Sequence, residues 1–171
     1  LILIGMEAGF GEVAAGIGIV YLCRGFGSGF GPMVARPLMA VPRVMPYLIG
    51  FALVGSGLLY IGVSTFEWGM LTLVCIFFSH GCSGVSWVFS TTLLQRRSDN
   101  EWMGRVAGTD SLVITLTMGV STIFAGLAME HEVVTLREML LITAGIQISV
   151  GMLWLLLASP GERSHMAATG A

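Results

Sequence analysis

Five stretches of about twenty apolar residues, each carrying no more than two charges, leave this chain very few ways to fold. A helix rises about 1.5 Å per residue and the hydrocarbon core of a bilayer is about 30 Å thick, so each stretch is long enough to cross. They run from about Val13 to Ala35, Pro46 to Ser64, Trp68 to Leu94, Val106 to Met129 and Arg137 to Ala158. Lipid offers no partner to a free backbone N–H or C=O, which leaves helices or a closed barrel. A barrel would need short strands of alternating polarity, and none are present. The expected fold is therefore an all-α membrane protein with five transmembrane helices. Residues 1–12 read as the remnant of a preceding span or a periplasmic loop, 13–158 as the five-helix unit, and 159–171 as a cytoplasmic tail.

Composition agrees with a lipid environment. The 171 residues are 55% hydrophobic and 11% charged, against about 25% charged in an ordinary soluble domain. A net charge of −2 is too small to argue for nucleic acid or an acidic partner. The three cysteines form no CxxC pair; Cys75 and Cys82, seven apart on one helix face, read as buried small hydrophobes. The chain opens on Leu1 without a basic leader, so it is expected to be a piece of a longer protein.

The arginines set an orientation. Arg36, Arg43, Arg96, Arg97, Arg105 and Arg163 fall in connections on one side, while Arg137 alone falls on the other. Under the positive-inside rule the arginine-rich side, and with it the C-terminus, is expected to be cytoplasmic.

Arg24 sits at the middle of the first stretch. A charge there costs about 2.5–3.5 kcal/mol on insertion scales, so it is expected to face the protein interior or a water-filled path, as a transport-path residue or conformational lock. Glycine follows it at every second position. Gly25 and Gly29 form one small-xxx-small pair, and Gly27 and Gly31 another on the opposite face, so two neighbours are expected to approach closely. Pro32 is expected to kink the helix near its end.

Other polar groups occur at depth. His80 is placed with Arg24 as a path or proton-relay residue, or else as a neutral histidine bonded between helices. Asp110 is expected to pair with a linker arginine or to complement the positive end of its helix. Ser79, Ser83, Ser86 and Ser90 make one polar stripe, and Gln147 is expected to bond between helices. No histidine or carboxylate stands at metal-ligand spacing from His80, so no metal site is expected. No GxxxxGK[ST], HExxH or GxSxG motif occurs. No enzyme and no cofactor are therefore expected.

Two segments carry a family resemblance. "TTLLQRRSDNEWMGRVAGTDSLV" (91–113) resembles the cytoplasmic loop between helices ten and eleven of bacterial major facilitator superfamily exporters. In that loop a glutamine closes one helix and Gly-Arg-Val opens the next; Gln95, Gly104, Arg105 and Val106 stand in those places. "GIGIVYLCRGFGSGFGPMVAR" (16–36) is similar to their helix eight. Met103 departs from the usual basic residue before Gly-Arg, and "ARPLMAVPRVMP" lacks the family's Gly-x-x-x-Asp motif.

The resemblance implies that the five spans are helices 8–12 of a twelve-helix carrier in the inner membrane. Such a carrier works by alternating access with a missing N-terminal lobe, on a small-molecule substrate and with proton coupling. Gln95, Gly104, Arg105 and Asp110 would form its cytoplasmic gate. From another class stands a non-transporting membrane subunit or scaffold.

Overall fold

The computed structural model describes residues 1–7, 12–158 and 160–161, and among these every regular element is helical. A short helix α1 (Ile2–Glu7) is followed by α2 (Val13–Ala35), α3 (Met45–Thr65), α4 (Met70–Arg97), α5 (Met103–Glu130) and α6 (Leu136–Leu153). Two 3₁₀ turns link α2 to α3, and a π-helical turn, Trp154–Ala158, continues α6. With their continuations, the five long helices reach 21 to 28 residues, long and apolar enough to cross a membrane. Arg163 and residues 8–11 lie outside the described residues.

The helix ends differ from the sequence reading by a few residues, for local reasons. α4 starts at Met70, not Trp68, and runs on to Arg97. Arg96 and Arg97 complete its last turn, where cations meet the negative end of the helix dipole. α2 passes through Pro32 without a break and ends three residues later, becoming 3₁₀ at Arg36–Ala40. Pro32 marks the end of the helix and does not divide it.

α2, α4, α3 and α6 stand in a row in that order, and α1 packs on α2 with Ile4 buried among Val20, Val63, Leu73 and Leu140 and Leu1 against the same cluster as Tyr60. Gly27 meets the backbone of Phe77 and Gly31 that of Gly81, so α2 and α4 run parallel. Gly57 meets Ala144 and Ile148, and Gly50 meets Trp154 and Leu155, so α3 and α6 run antiparallel. Apolar clusters hold the row together at the two ends of its helices. Val20, Val63, Leu73, Ile76 and Leu140 gather at one end, and Met45, Ile49, Phe89 and Leu93 at the other.

Between those clusters the helices are held by close backbone approach and by hydrogen bonds. Lipid is as apolar as leucine, so burial in lipid gives apolar side chains little reason to associate. A Cβ at Gly27 or Gly31 would overlap a carbonyl oxygen of α4, and one at Gly84 would overlap the Ser28 carbonyl. Ser56 and Ser79 share a buried hydroxyl bond of 2.9 Å across α3 and α4, and the Ser79 hydroxyl also reaches the Ser56 carbonyl at 3.3 Å. Cys75 and Cys82 are free thiols on α4, facing Gly62 and Gly55 of α3 respectively.

One expectation fails. Only the Gly27/Gly31 face of α2 is filled; nothing stands within 4 Å of a Cβ placed at Gly25 or Gly29. The row supplies α2 with a single long neighbour, α4, and the second face borders an open apolar groove with Leu22, Phe26, Phe30 and Met33.

α5 stands apart. None of its 28 residues is buried, and it packs along no other helix. Only its first two turns lean on the end of α4, around Trp87, Thr91, Leu94 and Gln95. Its far end closes through a hairpin to α6. There the Val133 N–H bonds the Ala128 carbonyl at 2.9 Å and the Glu132 N–H bonds that of Met129 at 3.1 Å. That is a Schellman pattern, with Glu132 in the left-handed region at φ 53° where glycine is usual.

Candidate functional site

The contacts between helices fix which way each one faces. At 3.6 residues per turn, a residue's angle from the packed glycines or serines of its helix follows from its number. Measured in this way, Arg24 on α2, His80 on α4, Tyr60 on α3 and Gln147 on α6 all fall on one flank of the row. On the opposite flank, Phe30, Phe51, Phe77 and Phe78 line an apolar cleft with Cys82. The row is therefore two-sided, and the polar groups at depth share a side.

Arg24 is exposed on that polar flank, with its guanidinium carbon 5.6 Å from the centre of the Tyr21 ring. Its carbonyl accepts the Ser28 hydroxyl at 2.9 Å, a local bond that leaves the charge unengaged. The Tyr60 hydroxyl and His80 Nε2 are 3.2 Å apart, and the two rings meet edge to face at 72°. Which of them donates depends on the histidine tautomer. Gln147 is partly buried, and its Oε1 has no hydrogen-bond partner.

The serine stripe divides between two tasks. Ser79 and Ser86 are buried against α3, while Ser83 and Ser90 are exposed. The Ser90 hydroxyl donates to the Trp87 carbonyl of its own helix at 3.0 Å. The buried members thus serve helix packing.

At the arginine-rich end, Gln95 and Asp110 line one groove between α4 and α5, and Arg105 and Asp110 line the next. Gly104, in the first turn of α5, has nothing within 4 Å of an added Cβ. The Arg105 guanidinium turns onto the Trp102 ring at 4.8 Å and forms no pair with Asp110. Because α5 begins at Met103, Asp110 is two turns in, too deep to complement the helix start as expected. Arg96 donates to the Met45 sulfur at 3.7 Å, which ties the end of α4 to the start of α3.

Three anchors escaped the sequence reading. Tyr60 signals itself in the sequence only by the polar tip of a phenol within an apolar span. Arg137, counted only for orientation, stacks on the Trp68 ring at 5.0 Å and donates to the carbonyls of Ser64 and Phe66, the latter at 3.2 Å. Trp154 donates its indole N–H to the Pro46 carbonyl at 2.7 Å. The last two join α6 to both ends of α3, across 70 residues or more of sequence, and nothing local announces them.

No group of three histidine, cysteine, aspartate or glutamate side chains that could hold a metal ion occurs among the described residues. Fold and site define an all-helical protein with five helices long and apolar enough to span a membrane and polar groups gathered on one flank. No family model, curated protein or solved structure matches the chain.

Proposed function

We propose that this chain is part of a secondary active transporter of the major facilitator kind, which moves a small molecule across the bacterial inner membrane by alternating access. The observation that carries the reading is the shared flank. Four helices contribute Arg24, His80, Tyr60 and Gln147 to one side of a bilayer-length row. A fixed charge at that depth costs too much to leave against lipid, so the flank borders water or other protein. Ionisable groups inside a membrane mark substrate and ion paths more often than they mark packing.

The arginine-rich end, with Arg36, Arg43, Arg96, Arg97 and Arg105, would face the cytoplasm. There the contact of α4 with α5 around Gln95 and Asp110 would act as the gate, with Gly104 and Arg105 at its edge. Proton coupling is part of the proposal, with His80 as the titrating candidate in this chain. A twelve-helix carrier would complete the substrate path with the lobe that precedes these spans.

The test uses the full-length protein in cells. Expression-dependent efflux is measured over a panel of amphipathic dyes that includes anions, neutral molecules and cations. Arg24→Ala is expected to reach the membrane at the wild-type level and to abolish flux. Unchanged flux in a well-inserted Arg24→Ala protein would remove Arg24 from the path. The scaffold reading is favoured by the open glycine faces of α2 and α5. It predicts that the same variant alters assembly while no dye moves even in the wild type.

A further inference from the structure

The geometry points to an anion site on the polar flank: Arg24, with the Tyr60–His80 pair on the same flank, holds the negatively charged head of a small organic acid. The proposal rests on the transport reading for its biological purpose, but the site stands on its own geometry. Among the described residues, Arg24 is the only permanently charged side chain in the middle of a helix of the row. Among the described residues, the acidic side chains lie at helix ends or in connections, apart from Asp110 two turns into α5 at the arginine-rich end. No carboxylate of the row meets the guanidinium, whose nearest aromatic neighbour is Tyr21 at 5.6 Å.

A guanidinium presents paired N–H donors that match the two oxygens of a carboxylate. The Tyr60–His80 pair, bonded at 3.2 Å, adds a hydroxyl and a ring nitrogen to the same flank. With one fixed cation at this depth, a single negative charge is neutralised, whereas a dianion would bring an uncompensated second charge out of water. The exposed Tyr21 ring, 5.6 Å from the Arg24 guanidinium carbon, suits an apolar or aromatic body. The ligand class is therefore a monovalent organic acid, with neutral and cationic analogues rejected.

The experiment places the purified full-length protein in lipid nanodiscs and measures binding of three probes of similar size: benzoate, benzamide and benzylamine. Benzoate is expected to bind at least about tenfold more tightly than benzamide, with benzylamine weakest. Arg24→Gln is expected to bring benzoate down to the level of benzamide, and Arg24→Lys to retain part of the preference. Equal binding of the three probes, binding of none, or a preference that survives Arg24→Gln would each overturn the site. If Arg24→Gln does not fold, the wild-type ranking decides, together with Tyr60→Phe, which is expected to weaken benzoate and leave benzamide unchanged. Anion preference without flux in the dye panel would keep the site and end the carrier reading. Flux of neutral or cationic dyes without anion preference would do the reverse.

Discussion

α2 and α5 bear the same kind of sequence signal and end in opposite situations. On α2, Gly27 and Gly31 press against α4 so closely that neither tolerates a Cβ. On α5, Gly104, Gly108, Ser111, Thr115, Gly119, Thr122 and Gly126 recur at three- and four-residue steps and so fall on one face. Yet a Cβ at any of its four glycines would meet nothing within 4 Å. Even within α2, the pair Gly25/Gly29 is as open as Gly27/Gly31 is closed. Small-residue spacing states that a backbone can come close. It does not say which backbone, or whether the neighbour belongs to the same row.

The largest effect should come from filling the closed face. Gly31→Leu is expected to force α2 from α4 and to destabilise the protein by about 3 kcal/mol, the upper end of overpacking costs. Gly119→Leu and Gly29→Leu are expected to stay within about 0.5 kcal/mol, as exposed substitutions do. Chemical unfolding in detergent micelles measures all three. If Gly119→Leu cost as much as Gly31→Leu, α5 would be packed in the folded protein and the contrast would collapse.

A second test sharpens the difference between the tethered helix α6 and the loose helix α5. Arg137→Ala removes the bonds to the Ser64 and Phe66 carbonyls and the stack on Trp68. The expected loss is about 2 kcal/mol, typical of hydrogen bonds to a charged group. Unfolding midpoints of Arg137→Ala and of Arg105→Ala, whose stack on Trp102 ties down no second helix of the row, should differ clearly. Equal midpoints would show that Arg137 does not hold α6 in place.

The smallest effect lies at the start of α6. There the Thr135 N–H bonds the Glu138 carboxylate at 2.7 Å, and the Glu138 N–H bonds the Thr135 hydroxyl at 3.3 Å, a capping box. None of the other long helices has a side-chain cap at its N-terminus. Thr135→Ala is expected to cost about 1 kcal/mol. The unfolding midpoint in detergent micelles measures it, and an unchanged midpoint in Thr135→Ala would exclude the cap as a support of α6.

Much of this was legible in the sequence. The first span, from Val13 to Ala35, was readable to the residue, because a long apolar run in lipid has no alternative to a helix. The depth of Arg24 and His80 was readable from their places in those runs. Their sidedness was not, since it depends on which residues of each helix face a neighbour. Tyr60 joined the site only when α3 and α4 packed antiparallel, with Ser56 against Ser79.

The sequence alone determined the number of spans, their lengths, and the ends at which arginines gather, because these follow from apolar length and local charge. Tertiary structure alone decided that α6 packs on α3, that one glycine pair of α2 closes while the other stays open, and that α5 is left outside the row. Those outcomes turn on which backbones approach within contact, and lipid gives every apolar helix face the same welcome until close packing and hydrogen bonds choose between them.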